Sequence, residues 1–255
     1  MISLNWLPET AYIYLVIFAR VGAMLMLIPA LGEATIPARM RLGFALAMAA
    51  VLYPLVSDRI PPLGDQLWGV VALVIHEVAV GLILGSIARL AVSSTQTAGT
   101  VIAQSAGLAV AQAADPSNEG VQGVLIGSFL GMLGIALIFA TDLHHVALSA
   151  VHDSYMIMSP SEPLMLGDTA QTIVDTVAGA FVVGVQMSAP FIVFGLVFNL
   201  GMGILSRLMP QLQVYFLAMP ATVGIGLVLM ALLLTMMMGL YLTHFEGVLA
   251  TLRGV

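Results

Sequence analysis

Between Asp175 and Glu246 the chain runs through roughly seventy residues with one formal charge, Arg207. A charge at bilayer depth costs on the order of 3 kcal/mol on insertion scales. A lone arginine between two long apolar segments therefore marks a loop, a polar cavity or a protein contact. It divides the last third of the chain into two hydrophobic elements. The rest of the sequence has the same character: 60% of the 255 residues are hydrophobic and 8% are charged. Soluble domains carry about a quarter charged residues, so the composition defines an integral membrane protein.

A membrane-spanning helix needs about twenty mostly apolar residues. Six segments qualify as candidates: Ala11–Leu31, Arg41–Val56, Leu67–Val92, Val121–Val151, Ile173–Leu205 and Leu212–Leu242. The expected fold is all-α, an integral membrane protein of helical hairpins, with residues 1–255 forming a single domain. The second segment is short for a full span. Pro190 and Pro220 remove backbone donors from the fifth and sixth and are expected to kink them. Ser93–Ala114 is uncharged but rich in Ser, Thr, Gln and Ala. It is too polar to face lipid and reads as helix and loop packed against protein, with the loop at Gly107–Glu119.

The seven basic residues are all arginine, and the net charge is −6 from scattered acids, which excludes a nucleic-acid partner. Placing the N-terminus outside puts Arg39, Arg41, Arg89 and Arg207 on the cytoplasmic side and leaves Arg59 and Arg253 opposite. The first residues lack the basic region of a cleaved signal peptide. No cysteine is present, so thiolate chemistry and disulfides are excluded.

Catalytic patterns are missing. His76-Glu77 begins like a zinc-protease motif, but Val80 stands where the second histidine belongs. Gly127-Ser128 lacks a nucleophile-elbow context, and no glycine-rich phosphate loop follows a strand. Asp142, His145, Ser149 and His152 share one helical face, with His144 and Asp153 nearby. They suit a membrane–water boundary better than a metal site or proton relay. The expectation is a non-enzyme without cofactor. Glu77 and Arg89 are each costly against lipid, so both are expected to face protein as a satisfied structural pair, with a charge relay as the alternative.

Gly120, Gly123, Gly127, Gly131 and Gly134 form a stripe along the fourth segment, where another helix can approach at backbone distance. The partner is either another part of the chain or another subunit. Gly81 and Gly85 repeat the pattern on the third segment.

The motif Asn199-Leu200, Gly203, Arg207, Pro210-Gln211 and a later Pro220 resembles the FliR family of the flagellar type III export apparatus, which has relatives in virulence secretion systems. Further blocks agree in order: Ala19-Arg20-Val21-Gly22, Pro29-Ala30-Leu31-Gly32-Glu33, Ile36-Pro37 and Arg39-Met40-Arg41; then Gly107-Leu108-Ala109-Val110 with Asp115-Pro116; then His144 and Asp153-Ser154-Tyr155. The resemblance covers nearly the whole chain. It implies a core export-gate subunit in the bacterial inner (plasma) membrane, at the flagellar basal body. Such a subunit assembles helically with FliP- and FliQ-like subunits, alongside FlhB- and FlhA-like export proteins, around a channel for unfolded flagellar proteins. It also implies that the gate is lifted largely out of the bilayer plane, in contact with membrane lipid.

Within that resemblance, Gly107, Leu108, Ala109, Val110, Asp115 and Pro116 belong to a loop that helps plug the channel. Val110 stands where relatives often carry an aromatic. Arg207, with Pro210 and Gln211, reads as a structural clamp, the guanidinium bonding helix-end carbonyls or a neighbour's acid. Contact with exported substrate is the competing role. The competing function for the chain is a proton-coupled secondary transporter using Glu77, Asp142 and the histidines.

Overall fold

The structure is a computed structural model that describes residues 9–29, 31–33, 36–63, 67–107, 121–163, 166–209 and 214–253. These residues are predominantly helical and contain no strand. The helices are α1 (Glu9–Leu27), α2 (Ala38–Val56), α3 (Leu67–Ser105), α4 (Val121–Ala140), α5 (Leu143–Ile157), α6 (Leu166–Leu208) and α7 (Val214–Leu252). A single 3-10 turn, Ser57–Arg59, follows α2. Five helices are long and apolar enough to cross a membrane, and α4 with α5 would supply a sixth span.

Two boundaries differ from the sequence reading. The third apolar segment and the polar stretch after it form one helix, α3, of 39 residues. Ser and Thr hydroxyls that would compete with the helix are turned back onto its own carbonyls. Thr95 Oγ1 donates to Val92 O and Thr97 Oγ1 to Ser93 O. The fourth segment, in contrast, is broken. Asp142 adopts a left-handed conformation with φ 59°, and α4 and α5 meet at a bend of 77°. Short polar side chains such as Asp tolerate that backbone region best. The 43-residue α6 and the 39-residue α7 run on through Pro190 and Pro220.

The chain divides into two compact units. One comprises residues 1–91, 138–177 and 245–255, the other residues 92–137 and 178–244. In the first unit α1 lies against α3 through Gly81 and Gly85. A Cβ on Gly81 would collide with the Arg20 carbonyl, and one on Gly85 would press on Leu27 and the Met24 carbonyl. Glycine here permits backbone contact between two helices.

The second unit is built around the polar half of α3. The backbones of α3 and α4 touch at Gly99 and Gly127, and Gly131 faces Thr95 and Gln96. On α6, Gly184 meets Thr97 and Gly195 meets Ser105, while Gly226 of α7 meets Ala106. Ser94, Thr95, Ala98, Ala103 and Ala106 of this stretch are therefore buried against protein, as the composition predicts, whereas Gln96, Thr100 and Gln104 are exposed.

Candidate functional site

Arg20 lies in the middle of α1, and Glu77 lies one turn before the Gly81 contact on α3. Both side chains are fully buried, at 0% exposure. The glycine crossing brings them together although they are 57 positions apart. Arg20 Nε donates to Glu77 Oε2 at 2.8 Å and Arg20 Nη2 to Glu77 Oε1 at 2.7 Å. This is the two-pronged geometry that a guanidinium and a carboxylate favour.

Helix α5 closes the arrangement. Arg20 Nη1 donates to Ser154 Oγ at 3.1 Å, and Nη2 also donates to the Met158 carbonyl at 2.8 Å. Ser154 Oγ in turn donates to Val151 O at 2.6 Å. The guanidinium carbon lies 3.9 Å from the centre of the Tyr155 ring, within cation–π range. Arg20 thus places four donor contacts on three partners, and Glu77 accepts with both oxygens. His76 Nδ1 stands 3.3 Å from Glu77 Oε1 and lines cavities of about 190 and 500 Å³ that share Glu162 and Pro163 with it.

A carboxylate saturated in this way is a poor general base or proton carrier. The chemistry it supports is mechanical: a charged joint locking α1, α3 and α5. Residue-pattern reading missed the joint: Arg20 was noted in the Ala19-Arg20-Val21-Gly22 block but was not connected with Glu77. The available signal was two opposite charges near the centres of two apolar segments. The expected pairing of Glu77 with Arg89 is corrected. Glu77 pairs with Arg20 because the glycine crossing aligns those turns, whereas Arg89, three turns further on, is exposed.

Arg207 contrasts with this. It lies in the last turn of α6, exposed, with no hydrogen-bond or ion-pair partner among the described residues. Pro210 and Gln211 lie outside the described residues. So do Leu108, Ala109, Val110, Asp115 and Pro116 of the loop. Gly107 is described: with φ 72° it ends α3 in the left-handed form, and a Cβ there would meet Thr222 of α7. In the glycine stripe, Gly120 lies outside the described residues. Gly127 and Gly131 face Gln96 and Thr95 of α3, and Gly134 faces the Tyr241 ring of α7. At these three positions the partner is the chain itself.

The polar face after the bend resolves into pairs. Asp142 lies 3.4 Å from His145, both exposed, and His152 Nδ1 lies 3.0 Å from Asp153. Asp153 also accepts from Arg253 Nε at 3.0 Å. Ligand atoms of Asp142, His144 and His145 fall within 4.8 Å of one another, a spacing that a metal ion tolerates. Exposed acid and imidazole groups at a membrane boundary commonly stand so without one.

Fold and site together define an all-α polytopic membrane protein whose buried charges serve architecture. Residues 11–248 match the family described as bacterial export proteins, family 1. The flagellar biosynthetic protein FliR of Caulobacter vibrioides is 46% identical over 224 residues, covering 88% of this chain and 89% of the relative. FliR of Bacillus subtilis is 28% identical across 95% and 93% of the two chains. The Yop proteins translocation protein T of Yersinia pestis is 22% identical across 88% and 87%. The chain belongs to the FliR family of bacterial export proteins.

Proposed function

We propose that this chain is a core export-gate subunit of the flagellar type III protein export apparatus, assembling with FliP- and FliQ-like subunits around a channel for unfolded flagellar proteins. One observation carries the assembly part of this reading. Exposed apolar side chains continue along α6 from Val174 through Phe181, Val193, Leu196 and Leu200 to Leu208. At 1.5 Å per residue that exposed apolar length of helix extends ~51 Å. A hydrocarbon core is ~30 Å thick, and a tilt of about 40° would still leave ~39 Å to cover. Lipid alone does not suffice for such a length; apolar helices of other subunits do.

In this reading the gate lies in the inner membrane at the basal body, next to FlhA- and FlhB-like proteins. Gly107 and the residues up to Ala114 form part of the channel closure. Arg207 is a clamp whose partner is a carboxylate or helix-end carbonyl of a neighbouring subunit. Its place at the C-terminal turn of α6 favours a cation by the helix dipole. The transporter alternative gains nothing from the site, because Glu77 is committed to Arg20 and Asp142 is exposed.

Co-expression with FliP- and FliQ-like subunits and affinity purification through this chain tests the proposal. A stable three-component complex is the expected result. An isolated monomer that moves a small solute would overturn it. Arg207→Lys is expected to weaken the complex, whereas intact assembly with selective loss of export would assign Arg207 to substrate contact. Deleting residues 107–114 should raise ion leakage through the assembled gate.

A further inference from the structure

Away from the clasp, the first unit contains a second feature that the export reading does not use. An apolar cavity of about 270 Å³ is walled by Ile28, Leu31, Phe44, Ala88 and Phe139, with His144 as its one polar side chain. A water needs two to four polar partners to occupy a cavity, and cavities without them stay dry and accept hydrocarbon. His144 Nδ1 is buried with no hydrogen-bond partner.

Three arginines stand close in sequence to its wall residues. Arg41 precedes the wall residue Phe44 by one turn of α2, Arg39 lies in the same first turn, and Arg89 directly follows the wall residue Ala88. Arg39 and Arg89 are exposed, and Arg41 Nε is buried without a partner. None of the three has an ion-pair partner among the described residues. The first turn of α2 contains no acid, and Pro37 offers no side-chain cap. Cations there oppose the helix dipole unless an anion joins them. The acid beside His144, Asp142, is turned to His145.

We propose that this cavity and its arginines bind one anionic phospholipid, the acyl chain entering the cavity and the phosphate lying among Arg39, Arg41 and Arg89. A planar guanidinium matches phosphate oxygens two at a time, and basic pockets between membrane helices are the usual seats of anionic headgroups. The buried His144 nitrogen is left to meet an oxygen of the ester or phosphate. The occupant is a lipid rather than free phosphate because the cavity itself is apolar apart from His144.

The test uses the full-length chain in detergent, with dioleoylphosphatidylglycerol or dioleoylphosphatidylcholine added and retained lipid counted by native mass spectrometry. One phosphatidylglycerol should be retained, with a preference of about tenfold over phosphatidylcholine. Arg41→Gln combined with Arg89→Gln should abolish the preference, and Arg39→Gln, on an exposed side chain, should reduce it without disturbing packing. Ala147→Leu, which narrows the cavity, should lower retention of both lipids, and millimolar inorganic phosphate should not compete. Equal retention of the two lipids, a preference unchanged in both the double variant and Arg39→Gln, or displacement by inorganic phosphate would overturn the proposal.

Discussion

Arg20 and Arg207 are both arginines within long apolar helices, and they solve the same problem in opposite ways. Arg20 is withdrawn completely from solvent and lipid, satisfied by Glu77, Ser154 and the Met158 carbonyl. Arg207 is left at a helix end, exposed, with no partner among the described residues. A chain that folds its charges inward at one place and presents one outward at another separates two jobs. The first joint holds the subunit together. The second is available to something beyond it.

The largest effect that would break this comparison is at the buried pair. Removing one member of such a pair strands the other charge and costs about 3–5 kcal/mol. Arg20→Ala or Glu77→Ala should therefore lower the thermal unfolding midpoint of the detergent-solubilised chain sharply, while Arg207→Ala stays within about 0.5 kcal/mol of the parent. Similar losses at both arginines would end the distinction. The double variant Arg20→Met with Glu77→Leu sharpens it further, since replacing both charges by apolar side chains is often far less costly than removing one. A double variant as unstable as the worse single variant would mean that the charges themselves, and not their mutual compensation, hold the joint.

An intermediate effect is expected at the crossing that aligns the pair. Gly81→Ala drives a methyl group into the Arg20 carbonyl, and overpacking of this kind costs about 1–3 kcal/mol. Near Arg207 the same change at Gly201 enters open space and should stabilise α6 by up to about 1 kcal/mol through helix propensity. Equal melting shifts for the two variants would show that the crossing is loose. The smallest effect is at Tyr155. Its hydroxyl is buried without a hydrogen-bond partner, so Tyr155→Phe keeps the ring over Arg20 and should change stability by no more than about 0.5 kcal/mol. A loss above 2 kcal/mol would place an essential bond on that hydroxyl.

Much of the fold was legible because lipid-compatible helices announce themselves by length and apolarity. The protein-packed side of Ser93–Ser105 followed from its being helical yet too polar for lipid, and Gly127, Gly131 and Gly134 revealed a close helix contact. What the pattern could not supply was partnership. Glu77 was read with Arg89 because they share a helix, but ion pairs across helices depend on which turns a crossing aligns, and Gly81 sets that in three dimensions. The break at Asp142 was missed for a different reason: Thr141, Asp142, His144 and His145 interrupt the apolar run, but they were read as a polar face of one continuous helix, and the left-handed backbone at Asp142 leaves no mark in hydropathy.

The span of the clasp along the chain bears on how the protein is made. Arg20 emerges early in synthesis, yet Glu77 follows 57 residues later and Ser154 134 residues later. Until α5 has been synthesised, a guanidinium near the middle of the first apolar helix lacks part of its final coordination, at a depth where charge costs about 3 kcal/mol. Completion of the joint is thus a chemical signal that three separate helices have arrived, and a chain truncated before α5 would reach the membrane with that signal missing.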